Sequence, residues 1–195
     1  MKKKNAHTQK GFSLIEMMVA VALFAVVMVI STGALLALID ATRKAQALQS
    51  VMNNLNIALD GMVRSIRMGH VYHCGNLGSI SEPRDCENGN TFFAFEAFGG
   101  DTNSISDQWI YNFTTDANGV GRIYKSVNGG GTWFAITTPE VEIEDMDIYV
   151  TGTTPGDDYQ PKVVITMKGT AGAEKAKTRT TFSIQATAAQ RVLDI

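Results

Sequence analysis

The sequence contains few of the residues from which catalytic and metal sites are built. Its 195 residues include three His and two Cys. His7 lies in a basic N-terminal stretch, while His70 and His73 lie beside Cys74, and no Ser, Cys and His arrangement resembles a nucleophilic site. No glycine-rich phosphate-binding loop follows a predicted strand. We therefore predict that the chain is not an enzyme, and we expect no catalytic residue, no cofactor and no metal.

The chain also lacks a surplus of positive charge. Its formal net charge is −2, and four of its Lys lie within residues 1–11. The remaining chain therefore has 13 basic and 19 acidic residues, a net charge of −6. An acidic surface repels phosphate backbones, so nucleic-acid binding by the subunit alone is not expected. The length fits one domain plus an N-terminal segment, and the sequence has no internal repeats.

The stretch from Gly11 to Ile39 contains no proline, and Glu16 is its only charged residue. From Met17 onward, 23 consecutive residues are uncharged. A helix of that length is about 35 Å long, enough to cross a bilayer core of about 30 Å. A secretory signal core has only about 7–15 apolar residues, which favours a membrane anchor here. Because a charge near the membrane is disfavoured by about 2.5–3.5 kcal/mol, Glu16 is expected to have a cationic partner.

The residues Gly-Phe-Ser-Leu-Ile-Glu at 11–16 follow a basic leader and precede about 20 apolar residues. This pattern resembles the type IV prepilin signal, which type IV pilins, the pseudopilins of type II secretion and competence pseudopilins share. The match is close at Gly11, at Phe12 and at Glu16, the fifth residue after the glycine. An ordinary signal anchor with a Glu at the membrane interface is the alternative, but it does not predict this spacing.

The resemblance implies a processing pathway and a set of partners. A prepilin peptidase would cut between Gly11 and Phe12 on the cytoplasmic side, and the new amine of Phe12 would be N-methylated. The helix would hold the subunit in the inner membrane and then pack into a filament with other pilin or pseudopilin subunits, through an inner-membrane assembly platform. Glu16 would pair with the Phe12 amine of a neighbour, an attraction of about 4 kcal/mol at 4 Å and an effective dielectric of 20.

After Ile39 the pattern becomes amphipathic, and it predicts one helix from about Phe12 to Met68 with Gly69 as its C-terminal stop. Apolar residues recur at alternating spacings of four and three, which indicates a helical stripe that packs on the chain's own sheet or forms a coiled coil. We favour packing on the sheet, because a strand-rich region follows. The stripe consists of Ala41, Ala45, Leu48, Met52, Leu55, Leu59, Met62 and Ile66.

Cys74 and Cys86 are 12 positions apart and are separated by loop-forming residues. Outside the cytoplasm, a pair at this range usually forms a disulfide, which we predict here. Free thiols remain a second possibility. A metal site formed by His70, His73 and the two cysteines is a third, although the spacing matches no standard zinc site.

The remaining sequence predicts strands and two oxygen-rich loops. The Asn128-Gly129-Gly130-Gly131 turn indicates a hairpin. In the strand that follows, the alternation of apolar residues shifts by one position, which predicts a bulge near Glu144-Asp145. The outer face of this strand is acidic from Glu140 to Asp147. We read that face as solvated. Oxygen side chains that could bind calcium, without a full ligand pattern, are Asp101, Asn103 and Asp107 in one loop and Asp157 and Asp158 in another. The predicted strands are 91–98, 108–115, 121–127, 132–138, 140–150, 161–168 and 177–187.

Together these observations predict an α+β fold, with a long N-terminal helix packed on an antiparallel β-sheet head. The predicted segments are a leader at 1–11, a transmembrane and filament-core helix at 12–39, an amphipathic helix at 40–69 and an extracytoplasmic head at 70–195. The resemblance implies a structural subunit of a pilus-like or pseudopilus filament, first in the inner membrane and later in an extracellular or periplasmic filament, and we expect a minor subunit. The alternative is a minor pilin that binds DNA, a surface or a secreted substrate at the filament tip.

Overall fold

The computed structural model describes residues 11–139, 141–157, 159–171 and 179–191. Several sequence predictions lie outside these residues. They are the leader up to residue 10 with His7, the acidic residue Glu140, the possible ligand Asp158, and the turn and strand start between 172 and 178.

A single helix, α1, spans Leu14–Met68, close to the predicted bounds. The chain divides within this helix into two compact units, residues 1–43 and 44–195. In the first unit, every described side chain is exposed. In the second unit, α1 buries one side against the β-strands, and the residues fully buried are Val51, Leu55, Leu59, Met62 and Ile66.

The buried stripe is shorter than the sequence pattern predicts. Ala41 and Ala45 are exposed, and the first stripe member with partial burial is Leu48. Alanine has little apolar surface to bury, so these two positions fit the spacing without indicating contact. From Leu55 to Ile66 the prediction is confirmed, and the stripe packs on the chain's own strands.

The helix ends where predicted, at Gly69. Its amide donates hydrogen bonds to the carbonyls of Ser65 (3.1 Å) and Ile66 (3.0 Å), which tightens the last turn. A Cβ at this position would overlap the ring of Phe95 and lie 2.8 Å from the carbonyl of Glu96. A glycine is therefore needed here because strand and helix approach closely, and the next strand begins immediately at His70.

The described strands form two antiparallel sheets. One sheet has the order β1-β3-β4-β5-β6 and the other has the order β2-β7-β8-β9. Both contribute to a single apolar core with the second half of α1. The strands are β1 His70–Cys74, β2 Cys86–Asn90, β3 Phe92–Glu96, β4 Trp109–Thr115, β5 Gly121–Ser126, β6 Phe134–Ala135, β7 Val141–Thr151, β8 Lys162–Ala171 and β9 Thr180–Ala189, with a short 3-10 helix at Ile105–Asp107.

The predicted fold class is confirmed, since a long helix packs against antiparallel sheets. The hairpin at 128–131 is also confirmed, because Lys125 pairs with Phe134 across it. The bulge near Glu144-Asp145 appears as a register shift between Ile143 and Asp145 in the β7–β8 ladder.

Two strands and the division into two sheets were not predicted from the sequence. β1 has a register shift between His70 and His73, and Val71 within it adopts a φ of 53°. That irregularity breaks the period-two pattern by which strands are recognised. β2 has no fully buried residue, and after Cys86 it contains no apolar side chain, so it shows no apolar alternation.

Candidate processing and assembly segment

The Gly11–Phe12 bond lies ahead of the helix, in a backbone without regular structure. The side chain of Phe12 is 77% exposed, and no atom lies within 4 Å of a Cβ built on Gly11. A peptide bond in a helix is protected by its hydrogen bonds and must be unwound before an enzyme can bind it in extended form. This bond needs no such unwinding.

Ser13 caps the helix. Its hydroxyl accepts a hydrogen bond from the Glu16 amide (3.3 Å), and its carbonyl accepts from the amides of Glu16 (3.1 Å) and Met17 (3.3 Å). Ser-x-x-Glu before an apolar run is the pattern of a capping box, with Glu16 three residues after the cap. This role of Ser13 was missed, although the same pattern in the sequence could have revealed it.

The carboxylate of Glu16 has no hydrogen bond or ion pair within the part of the chain that the structure describes. Glu16 lies in the first turn of α1, where the partial positive charge of the helix N-terminus favours an anion. The hydroxyl and carbonyl of Ser13 accept from the amides of Glu16 and Met17, without a contribution from the Glu16 carboxylate. Within the described residues the charge of Glu16 is therefore not used, and it is available to a cationic partner.

The helix that follows exposes apolar side chains around its whole circumference. Within the described residues, it is the one helix long and apolar enough to cross a membrane. The hydroxyl of Thr32 donates to the carbonyl of Met28 (2.8 Å), so this polar group is satisfied within the helix itself. Such a surface is unstable in water and requires lipid or other helices around it.

In the head, Cys74 and Cys86 form a disulfide, with their Cα atoms 5.7 Å apart. Cys74 ends β1 in one sheet and Cys86 begins β2 in the other, so the bond joins the two sheets. Both sulfurs lie against the carbonyl of Ile148, at 3.6 and 3.2 Å. The disulfide contradicts the free-thiol alternative, and neither sulfur is a thiolate that could bind a metal.

The two histidines beside the disulfide differ in burial and in their contacts. His73 is buried, and its Nδ1 lies 2.8 Å from the carbonyl of Glu82. A carbonyl only accepts, so we assign the proton to Nδ1. His70 is half-buried at the start of β1.

The loop side chains that could bind calcium are largely engaged in local turns. Asp101 accepts from the backbone amide of Asn103 (3.0 Å) and from its side-chain amide (3.1 Å). Asp157 accepts from the amide of Tyr159 (2.8 Å). Among the residues that the structure describes, no three His, Cys, Asp or Glu side chains are grouped so that they could hold a metal.

The acidic outer face of β7 is mostly open to solvent. Glu142 accepts a hydrogen bond from Arg179 at 2.7 Å in a pair that is itself partly exposed. Glu144 and Asp145 are exposed at the bulge. This arrangement agrees with the interpretation of a solvated strand face.

On the five-stranded sheet, the ammonium group of Lys125 packs against two aromatic rings. Lys125 Nζ lies 3.5 Å from the ring centroid of Trp109 and 5.8 Å from that of Tyr111. Burial lowers the pKa of Lys125, and burial raises the pKa of Tyr111 to about 12. Lys125 and Tyr111 border a cleft of about 380 Å³ beside α1.

Residues 6–32 match the family model for the prokaryotic N-terminal methylation motif. The matched range contains the Gly11–Phe12 bond, the Ser13 cap, Glu16 and most of the apolar segment. No curated protein and no solved structure matches the chain.

The motif, the apolar N-terminal helix and the packing of that helix on antiparallel sheets are consistent with a type IV pilin-like protein. The motif supports a processed pilin-like or pseudopilin-like subunit, and it indicates a structural subunit rather than an enzyme. It implies processing by a prepilin peptidase and assembly with other pilin subunits, and the helix suggests membrane anchoring.

Proposed function

We propose that the chain is a minor subunit of a type IV pilus-like or pseudopilus filament. In this proposal a prepilin peptidase cuts between Gly11 and Phe12, and the amine of Phe12 is then methylated. Residues 12–39 hold the subunit in the inner membrane with its head outside the cytoplasm, until the assembly platform moves it into the filament.

The observation that carries this proposal is the combination found at the helix start. An exposed, non-helical bond precedes a capped helix start, and up to Ile39 the apolar side chains are exposed all round. Glu16 is the only charged residue of that apolar part, and its carboxylate has no partner among the described residues. Cutting at Gly11 would create a cation on Phe12, one helical turn from Glu16. In a filament core, either charge left alone would cost several kcal/mol. The pairing of Glu16 with a neighbour's Phe12 amine would therefore set the axial register of subunits.

Two further observations support the topology and the minor role. The disulfide is the kind of bond that persists outside the cytoplasm, and the Lys residues of the leader favour retention of that end inside. The late pattern Thr180, Phe182 and Ile184 is similar to that of minor pilins and minor pseudopilins. It lies in β9, where Phe182 and Ile184 pack toward the core.

The first experiment is intact mass and N-terminal sequencing of the protein from cells with and without their prepilin peptidase. We expect a chain that begins at methylated Phe12, and we expect this species to disappear when the peptidase is absent. A chain that still carries residues 1–11 in both strains would contradict the proposal and leave an anchored domain without a filament role.

A pair of variants separates assembly from helix capping. Glu16→Gln removes the charge but keeps the shape, and we expect normal cleavage with loss from the sheared filament fraction. Ser13→Ala removes the cap, which costs about 0.5–2 kcal/mol of helix stability, and we expect it to retain most incorporation. Equal losses in both variants would mean that Glu16 acts through the helix start and not through a neighbour.

The second candidate is a tip subunit that binds DNA, a surface or a secreted substrate. The observation in its favour is a set of exposed apolar side chains on the 97–108 loop and the β5–β6 hairpin, which are in contact. The Gly129 amide donates to the carbonyl of Gln108 at 3.0 Å. Replacing Trp133 and Phe134 by Ala should leave processing and filament number unchanged and reduce binding. The exposed side chains are Phe98, Ile105, Val127, Trp133 and Phe134.

A further inference from the structure

The strand β9, Thr180–Ala189, forms the longest edge of the two described sheets. It pairs with β8 along its whole length without a register shift. Its ten residues contain no charged side chain, no Pro and no Gly. Within the described residues, no strand pairs with its outer side, so the backbone N–H and C=O groups of every second residue have no partner in a sheet. Such an edge is a template for a strand from another chain.

The other three edges of the described sheets carry features that prevent this kind of pairing. β6 has two residues and is too short for a ladder. β2 has a register shift between Cys86 and Asn90. β1 has a register shift as well, and a bridge from His73 to Arg84 covers its outer side. Short strands, irregularities and covering segments are the means by which proteins protect sheet edges, and β9 has none of them among the described residues.

The cover of the apolar core is also incomplete at β9. Ile165 and Met167 of β8 are fully buried. Opposite them in the ladder, Ala186 and Ile184 pack against the core but are only half-buried. Residues opposite each other in a sheet lie on the same face, so the burial of this face falls from one strand to the next. A further strand beside β9 would cover Ile184 and Ala186.

We propose that β9 pairs antiparallel with β9 of a second copy of this chain, so that two four-stranded sheets become one continuous sheet. Antiparallel self-pairing places apolar side chains beside apolar ones on the inner face, and uncharged polar side chains beside each other on the outer face. The chain after residue 11 has a net charge of −6, but β9 carries none of it, so the pairing creates no like-charge contact within the ladder. The inner face has Phe182, Ile184, Ala186 and Ala188, and the outer face has Thr181, Ser183, Gln185 and Thr187.

The geometry of a sheet limits the register of this pair. Because opposite residues share a face, the two-fold axis passes through a residue and not between two residues. Overlap along nearly the whole strand places the axis at Ile184 or Gln185. In both registers the two Gln185 side chains, which are exposed in the single chain, lie opposite or diagonal to each other, with Cβ atoms about 5–8 Å apart. A charge introduced at Gln185 would therefore meet its own copy across the axis.

The first test measures self-association of the full chain in detergent by sedimentation, from micromolar to near-millimolar concentration, together with hydrogen exchange of the β9 amides. We expect a monomer–dimer equilibrium. The amides that face β8 should exchange slowly at every concentration, and the alternate amides should become slow only where the dimer is populated. Association through the apolar helix would not produce this alternate protection. A chain that stays monomeric, or a dimer in which the outer amides of β9 exchange as fast as in the monomer, would overturn the proposal.

The second test is a charge exchange at Gln185. Gln185→Lys and Gln185→Glu should each weaken self-association by about tenfold or more, because like charges meet at the axis. An equimolar mixture of the two variants should restore the dimer, which would also show that both are folded. Thr115→Lys and Thr115→Glu, at an exposed position of β4 in the other sheet, should associate as the wild type does. Equal association of all four variants, or no recovery in the mixture, would contradict pairing through β9. Neither result would affect the proposed cleavage, which is measured separately by mass.

Discussion

The disulfide between Cys74 and Cys86 joins the two sheets of the head, so removing it tests how far the sheets depend on a covalent link. The two cysteines are 12 residues apart, and their Cα atoms lie 5.7 Å from each other. Closing a loop of this length removes conformations from the unfolded chain and stabilises the fold by about 3 kcal/mol in the chain-entropy model. At about 2–4 °C per kcal/mol for a chain of this size, the Tm should fall by about 6–12 °C.

The substitution that tests this is the double change Cys74→Ala and Cys86→Ala. Alanine is preferred to serine because Cys74 is fully buried against the carbonyl of Ile148, where a hydroxyl would add a desolvation cost of its own. Both Trp residues of the chain, Trp109 and Trp133, lie in the head, so their fluorescence reports the unfolding of that unit and not of the apolar helix.

The assay compares wild type and the double variant with and without reductant. We expect reductant to lower the Tm of wild type toward that of the variant and to leave the variant unchanged. If the variant unfolds at the wild-type temperature, the packing of β1 and β2 holds the junction without the covalent bond, and the chain-entropy reasoning is wrong for this loop. If reductant lowers the Tm of the variant as well, the effect does not come from this disulfide.

Three further predictions concern the packing and the buried charge of the head. In urea titrations, Leu55→Ala should lower the free energy of unfolding by about 2–5 kcal/mol. Ile57→Ala, at a 72% exposed position two residues away, should change it by less than about 0.5 kcal/mol. Similar values for the two variants would mean that a different face of α1 packs on the sheets. Gly69→Ala forces a methyl group into the ring of Phe95 and should cost about 1–3 kcal/mol in the same titration, and a neutral result would contradict the close approach of helix and strand. Burial raises the pKa of Glu96, so over a range of pH the folded state holds a proton that the unfolded state has released, and stability should fall as the pH rises from about 4.5 to the folded pKa. Glu96→Gln should lack this component, and identical pH profiles of the two proteins would refute it.

The helix and its N-terminal motif could be predicted because their signals are local. The bounds of α1 follow from an apolar run, an amphipathic stripe and Gly69, all of which act through residues close in sequence. The Ser13 cap belongs to the same class of signal. The strands β3 to β5 and β7 to β9 were predicted from aromatic content, apolar alternation and neighbouring turn residues, and the bulge at Glu144-Asp145 from a change of apolar phase.

What could not be predicted depends on contacts between distant segments. β2 is a strand because it pairs with β7, with Cys86 opposite Val150 and Asn90 opposite Ile148, and not because of its own apolar pattern. The disulfide was predicted from spacing, but its position between two sheets follows only from that pairing. In the sequence, Glu96 is a polar residue near the end of an aromatic-rich predicted strand. Its burial depends on the 97–108 loop, including Gly100, which follows it.

Glu16 shows how one residue can satisfy two demands at different stages of the proposed pathway. In the helix described here, Ser13 accepts the Glu16 amide, and the carboxylate three residues after the cap lies where the helix N-terminus favours an anion. That interaction is worth about 0.3–1 kcal/mol, too little to account for placing a charge at the edge of a membrane-length apolar helix. The Phe12 amine of a neighbour, at about 4 kcal/mol for a close pair, is large enough to do so. The helix start therefore holds the carboxylate in place, and the proposed partner supplies the reason for its presence.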